Sequence, residues 1–299
     1  MSTNPAQFLN LESEFTNPKL AQTVILPVPY EGGASHGKGA ANGPRAILEV
    51  SRNIELYDEV YGKEVHTGGI ATLAPADTSG DPRNAMENIR AEAAKWIKSG
   101  KFLVGLGGDH SVSFGLFGGV QEAHPDLACI QIDARPDLRN IYANDPLSHV
   151  CVMSRIRELG AQTLHLGIRS MSAAEAQRVQ NEKIETIRMH EYYQKKVDIQ
   201  RILATIGERV YLTIDVGCMD WSVIRSTSAP EPGGFTWREM LDLLDIIFKD
   251  KNVVACDVME LAPKENDVNS VFAAARLVFK LIAMKHSIEH IGRMDGLVI

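Results

Sequence analysis

The chain has 299 residues, of which 44% are hydrophobic and 23% charged, with a formal net charge of -7. That is an ordinary soluble globular composition, with enough chain for a large core and one or two domains. It carries no basic stripe of the kind a nucleic-acid binder needs, and its mild acidity suits a small cationic ligand. The N-terminus has no basic-then-apolar signal pattern, and no apolar run reaches the ~18 residues of a membrane span. A cytoplasmic protein with neither nucleic-acid nor membrane partners is therefore expected. Cys129, Cys151, Cys218 and Cys256 are scattered without C-x-x-C spacing in or near apolar runs, which predicts buried free thiols in a reducing compartment.

Residues 1–20 are polar and without a period, and read as an N-terminal arm lying on the surface or on a neighbouring subunit. Residues 21–299 read as one domain. Thr23 to Val28 is β-branched and apolar, a first strand. A glycine-rich loop from Tyr30 to Ala40 follows; it matches neither G-x-G-x-x-G nor G-K-[ST], which argues against a nucleotide fingerprint. Pro44 opens a helix, and residues 84–99 repeat apolar positions at helical spacing. Phe102 to Leu106 is a second buried strand, running into Gly107-Gly108-Asp109-His110-Ser111, where Asp109 or Ser111 could cap the next helix.

Leu127 to Ile132 is a third strand, ending in Asp133-Ala134-Arg135-Pro136-Asp137. Two carboxylates four positions apart at a strand's carboxyl end point into the crevice where open α/β sheets bind ligands. Arg135, a fixed positive charge between them, is the odd member. Ser148 to Met153 leads into a helix ending near Gly160, and Thr163 to Ile168 is a strand. Residues 172–208 read as mostly helical, with a short strand near Ile184. Arg209 to Asp215 is a strand ending in an acid. The loop 229–234 precedes a helix from Thr236 to Phe248. Val253 to Met259 is a strand ending at Glu260, and a long helix covers Asn269 to His286. Strand and helix alternate without a linker, which predicts a three-layer α/β/α fold on a mostly parallel sheet.

Four strands thus end in His110, Asp133, Asp215 and Glu260. Singly, each could cap a helix or be structural; together, parallel strands deliver them to one crevice. One imidazole with several carboxylates suits Mn, Ni, Fe or Zn.

These motifs carry a resemblance. Gly-Gly-Asp-His-Ser (107–111), Asp-Ala-Arg-Pro-Asp-Leu-Arg (133–139), Ser-His-Val-Cys-Val-Met (148–153), Leu-Thr-Ile-Asp-Val-Gly (212–217), Pro-Glu-Pro-Gly-Gly (230–234) and Asp-Val-Met-Glu-Leu-Ala-Pro (257–263) resemble the ureohydrolase family of arginase and agmatinase, in its agmatinase-like branch. The resemblance implies the arginase-like fold, assembly as trimers or hexamers, and hydrolysis of a guanidino compound at two metal ions, commonly manganese, with release of urea. It places first-metal ligands at His110, Asp133, Asp137 and Asp215, a substrate-holding acid at Glu260 and a proton-transfer histidine at His149. The second metal's private ligands, a His and an Asp, fall on Arg135 and Gly217, so that site is lost.

Guanidinium has no lone pair to donate to a metal. It could instead donate to the faces of Asp133 and Asp215 that the second metal would have used, and the exchange of ion, carboxylate and guanidinium leaves the net charge unchanged. The alternative is an Arg135 turned out to solvent. The implied cofactor is one divalent metal, Mn or Ni, or none. The first functional expectation is a degenerate, non-catalytic subunit assembled with an active ureohydrolase paralogue, a pattern that biguanide (metformin) hydrolases resemble. The alternatives are a self-sufficient single-metal amidinohydrolase and a guanidino- or polyamine-binding protein.

Overall fold

The computed structural model describes residues 6–34 and 37–294. Residues 1–5 of the expected arm, and Ser35 and His36 of the glycine-rich loop, lie outside it. Eight strands form the central sheet: β1 (Thr23–Val28), β2 (Ile70–Thr72), β3 (Phe102–Gly107), β4 (Ala128–Ile132), β5 (Thr163–Ile168), β6 (Glu185–Arg188), β7 (Arg209–Asp215) and β8 (Asn252–Met259). Their order is β2-β1-β3-β8-β7-β4-β5-β6, and every pairing is parallel. β3, β8, β7 and β4 are consecutive in the sheet, so the four strand ends singled out in the sequence are neighbours.

The sheet is covered on both faces, as the near-continuous apolar strands require. Side chains alternate along each strand. Ile25, Val104, Ile130 and Leu212 enter one apolar layer with helices α1 (Gly43–Ser51), α8 (Trp237–Asp250) and α9 (Val268–Met294). Val24, Leu103, Cys129 and Tyr211 enter the other, with α2 (Pro82–Lys98), α3 (Val112–Gln121) and α4 (Val152–Glu158). The three-layer α/β/α expectation holds. Pro27 is tolerated within β1 because β2 pairs only with residues 23–25 and has ended before it.

Helix starts follow local chemistry. Asp81 accepts from Asn84 N at 2.9 Å, and Pro82 fills the first turn of α2. Thr236 and Glu239 form a capping box on α8, as Ser172 and Glu175 do on α5 (Ala173–Asn181). The expected cap at α3 is not made. Ser111 is helical and caps nothing, and its hydroxyl bonds to Asp109 instead. Asp109 also accepts from Ser111 N at 3.0 Å and from Gly33 N at 2.7 Å, so its side chain ties the glycine-rich loop to the turn just before α3.

Residues 172–208 break into α5, the strand β6 and two one-turn helices, α6 (Met189–Tyr193) and α7 (Ile199–Leu203). The short strand β2 and an antiparallel pair, Tyr57–Asp58 with Lys63–Glu64, were not foreseen. That pair is tied to α9 by a buried contact of Lys280 Nζ with Asp58 Oδ2 at 2.9 Å. The arm packs on its own chain: Phe8 and Leu9 are buried, with Phe8 N on Thr72 Oγ1 and Leu9 N on Ser51 Oγ. All four cysteines are buried and free. No described helix is long and apolar enough to cross a membrane.

The turn that leads into His110 leaves no room for a side chain. A Cβ on Gly108 would lie 1.7 Å from the backbone oxygen of Tyr30, whereas one on Gly100, at φ +74°, would meet nothing within 4 Å. Gly108→Ala should therefore destabilise by about 3 kcal/mol or more, because backbone must move. Gly100→Ala should cost only about 1 kcal/mol, from its left-handed conformation alone. Urea denaturation midpoints of the two variants check the contrast.

Candidate metal centre and its cleft

β3 ends on Gly107, and the turn through Gly108 and Asp109 delivers His110. β4 ends one residue before Asp133, β7 ends on Asp215, and β8 ends one residue before Glu260. The structure brings all the acids and histidines singled out in the sequence to this one end of the sheet. His110, Asp133, Asp137, Asp215, His149 and Glu260 are all buried.

His110 Nδ1 lies 3.1 Å from Asp133 Oδ2, 3.2 Å from Asp137 Oδ2 and 4.0 Å from Asp215 Oδ2. None of these approaches has hydrogen-bond geometry, so Nδ1 is a buried nitrogen with no hydrogen-bond partner among the described residues. Its other nitrogen, Nε2, is 2.8 Å from Thr213 Oγ1. If Nε2 carries the proton and donates to Thr213, the Nδ1 lone pair is left facing the carboxylates. Ligand atoms of His110, Asp133 and Asp215 all fall within 4.8 Å of one another, a group that could hold a metal ion. An unpartnered imidazole nitrogen amid three carboxylates fits a divalent cation of the harder transition metals.

The electrostatics agree with that fit. Burial and the neighbouring Asp133 push the Asp137 carboxyl up to about 7. Burial, with Asp133 and Glu260, pushes Asp215 well above the usual carboxylate range. Burial also works against the charge of Asp133, but His110 and the Arg135 backbone hold its pKa low. With only the chain's own charges, the group resists full ionisation; a bound cation would relieve that.

Two residues that hold this group were not foreseen. Gln131 Nε2 donates to Asp133 Oδ2 at 2.8 Å and to the Arg135 carbonyl at 3.1 Å. Its amide is oriented by His165 Nδ1, 2.5 Å from Gln131 Oε1. Burial and Arg157 lower the His165 pKa to about 3, keeping it neutral. Thr213 is the second. The signal for both was a polar residue inside an apolar strand, two positions before its terminal Asp and so on the same face.

Arg135 does not do what was expected of it. Its backbone N donates to Asp133 Oδ1 at 3.0 Å, but its guanidinium reaches neither Asp133 nor Asp215. Nη1 donates to the Ala229 carbonyl at 3.0 Å and Nη2 to Glu231 Oε1 at 3.2 Å. Nor is it turned out to solvent, since its side chain is 25% exposed. The backbone bend after Asp133 directs the long stem across to the 229–231 loop, where a carboxylate and a carbonyl satisfy it. Asp215, Asp133 and Asp137 still act on it through space, and together they raise its pKa despite burial.

Gly217 N donates to Asp215 Oδ1 at 2.6 Å. A Cβ there would lie 3.0 Å from that oxygen and 3.6 Å from Thr227 Oγ1. That hydroxyl is buried and has no hydrogen-bond partner among the described residues. Position 217 thus faces the outer side of Asp215, and beyond its backbone N–H glycine has no side chain to offer either group.

His149 and Glu260 form a pair. His149 Nδ1 is 3.0 Å from Glu260 Oε1, which also accepts from His110 N at 2.8 Å, while Ser228 Oγ bonds Oε2. Glu260 sits at φ +66° and Asp137 at φ +49°, a left-handed backbone that costs free energy and is typical of functional sites. Beyond them opens a cleft of about 540 Å³, lined by Arg135, Asp137, Arg139, Tyr142, His149 and Glu231 among others.

The arginase-family sequence model matches residues 21–284. The chain is 36% identical to an N(1)-aminopropylagmatine ureohydrolase of Synechocystis over 94% of each chain. It is 29% identical to an agmatinase of Pyrococcus horikoshii over 89% of this chain and 93% of that one. Among solved structures, an arginase from Medicago truncatula superposes with a TM-score of 0.78 at 27% identity, covering 89% of this chain and 88% of the other. The agmatine ureohydrolase of Thermoplasma volcanium has the same fold, with a TM-score of 0.85 at 23% identity and 97% coverage of both chains.

Burial works against charge on His149, but the Glu260 hydrogen bond, with Asp137 and Asp109 behind it, raises its pKa from 6.5 to about 9. A histidine raised on folding stabilises fully below its unfolded value and loses that contribution as pH rises through the folded one. Stability against urea should therefore fall between pH 6.5 and about 9. The slope should flatten in His149→Gln, and a histidine NMR titration should place the midpoint near the upper end of that window.

Proposed function

The chain belongs to the arginase family and is an agmatinase-like ureohydrolase homologue, and on that premise we propose that it keeps one metal position, lacks the second, and serves as a supporting subunit of a hetero-oligomeric amidinohydrolase. The observation that carries this reading is the pair Arg135 and Gly217. Neither can offer a metal a lone pair from its side chain, and the Arg135 guanidinium brings a fixed positive charge to the wall of the same cleft.

His110, Asp133, Asp137 and Asp215 would hold the one ion, manganese or nickel. Such an ion supplies Lewis-acid chemistry for hydrolysis at a guanidino carbon. Everything else falls to the chain's own groups. Thr213 and Gln131 orient the ligands, and Gly217 N and Arg135 N each occupy one carboxylate oxygen. His149 and Glu260 hold a proton between them at the cleft floor. Three carboxylates offset the charge of a single divalent ion, which weakens its acidity. Arg135 already occupies acceptors that a guanidinium arriving at the same cleft would need. Both effects oppose turnover by this chain alone. The relatives are named for N(1)-aminopropylagmatine and agmatine, so a guanidino compound of that class is the substrate of the assembly, hydrolysed at the partner's site.

A second reading, a self-sufficient amidinohydrolase with one metal, is favoured by the complete His110, Asp133, Asp137 and Asp215 set and the His149–Glu260 pair.

Elemental analysis of the chain purified alone, with urea release assayed on the same sample, separates the readings. The expected result is no more than one divalent ion per chain and no urea from agmatine. One ion with turnover favours the single-metal enzyme, and two ions per chain refute the loss of the second site. Arg135→His combined with Gly217→Asp is expected to raise the metal count by one.

A further inference from the structure

The Ala229 carbonyl and the Glu231 carboxylate accept two different nitrogens of one planar cation, at 3.0 and 3.2 Å. A carboxylate and a carbonyl aimed at adjacent nitrogens is the acceptor pattern a guanidinium requires. The backbone that carries these acceptors is held by contacts other than Arg135. Arg169 donates to Gly217 O at 2.7 Å, Glu231 O at 2.8 Å and Pro232 O at 2.9 Å, fastening the loop to the end of β7. Phe235 N on Cys218 O at 3.0 Å closes the loop's far side. Removing the Arg135 head would leave these backbone contacts intact, with the Glu231 carboxylate still borne on the cleft wall. Arg135 and Glu231 side chains are 25% and 28% exposed, so the pair stands on the cleft wall within reach of a solute. A partly exposed ion pair contributes little to folding, so opening it leaves the fold intact.

We propose that Glu231 and the Ala229 carbonyl form a guanidinium-binding subsite and that Arg135 is its tethered occupant, so that a free guanidino ligand enters by displacing Arg135. This deepens the reading given above and rests on it for the cleft a guanidino compound would use. A tethered group acts at an effective concentration of order millimolar or higher. In the unsubstituted chain a free guanidinium therefore competes poorly.

Isothermal titration with guanidinium chloride, at ionic strength held constant with sodium chloride, tests this. Arg135→Ala should bind guanidinium about tenfold or more tightly than the unsubstituted chain. Glu231→Gln in the Arg135→Ala background should remove the gain. Arg135→Met, which keeps the stem, gives the same comparison if the alanine variant does not fold. Equal affinity in Arg135→Ala and the unsubstituted chain overturns the proposal. So does a gain that survives Glu231→Gln, or an equal gain for ammonium chloride. Neither metal nor urea is read, so this result and the metal count can fail separately.

Discussion

Three carboxyl groups, those of Asp133, Asp137 and Asp215, share a buried space with the imidazole of His110. Buried like charges repel and have lost their water, so such a group persists only where positive charge or donors compensate it. The surroundings supply donors from several sides: the Gln131 amide and the backbone amides of Arg135 and Gly217. Each comes from a residue fixed by the end of a strand. The parallel order β3-β8-β7-β4 is what makes this possible, since four adjacent strands finish at one level and deliver their next residues into one place.

Outside this acidic floor the wall of the cleft is nearly neutral. Arg135 is matched by Glu231, and Arg139 lies 3.6 Å from Glu175. Arg169 is spent on carbonyls, tying the 231–232 backbone to the end of β7. The cleft is therefore negative at its base and balanced at its rim. A cation is drawn to the base, while at the rim Arg135 already holds the acceptors a guanidinium would use.

The strand ends were legible because each apolar run stops on a chemically distinct residue, and parallel pairing then fixes where those residues meet. The direction of Arg135 was not legible. Its stem is long, and its partners lie 94 and 96 positions further along the chain, a distance that local pattern does not bridge. Gln131 and Thr213 could have been found, because a polar residue in a buried strand demands a partner. β2 was missed because three residues give too short a period to recognise. Of the two expected caps for α3, Ser111 failed because its hydroxyl is taken by Asp109, and Asp109 is itself shared between Ser111 and the glycine-rich loop.

The four cysteines give the molecule a further property. Each is buried and unpaired. Burial raises the thiols of Cys129, Cys218 and Cys256 well above their usual range, and that of Cys151 to about 11. Only the thiolate reacts, so in the folded chain these sulfurs are shielded twice, by access and by acidity. Cys129 and Cys256 sit on β4 and β8, Cys218 just after β7 and Cys151 just before α4, so three of the four lie on or beside the central strands that carry the acidic floor. Alkylation by a thiol reagent must then wait for the sheet to open. Its rate becomes an internal clock of how often the strands beneath the acidic group come apart.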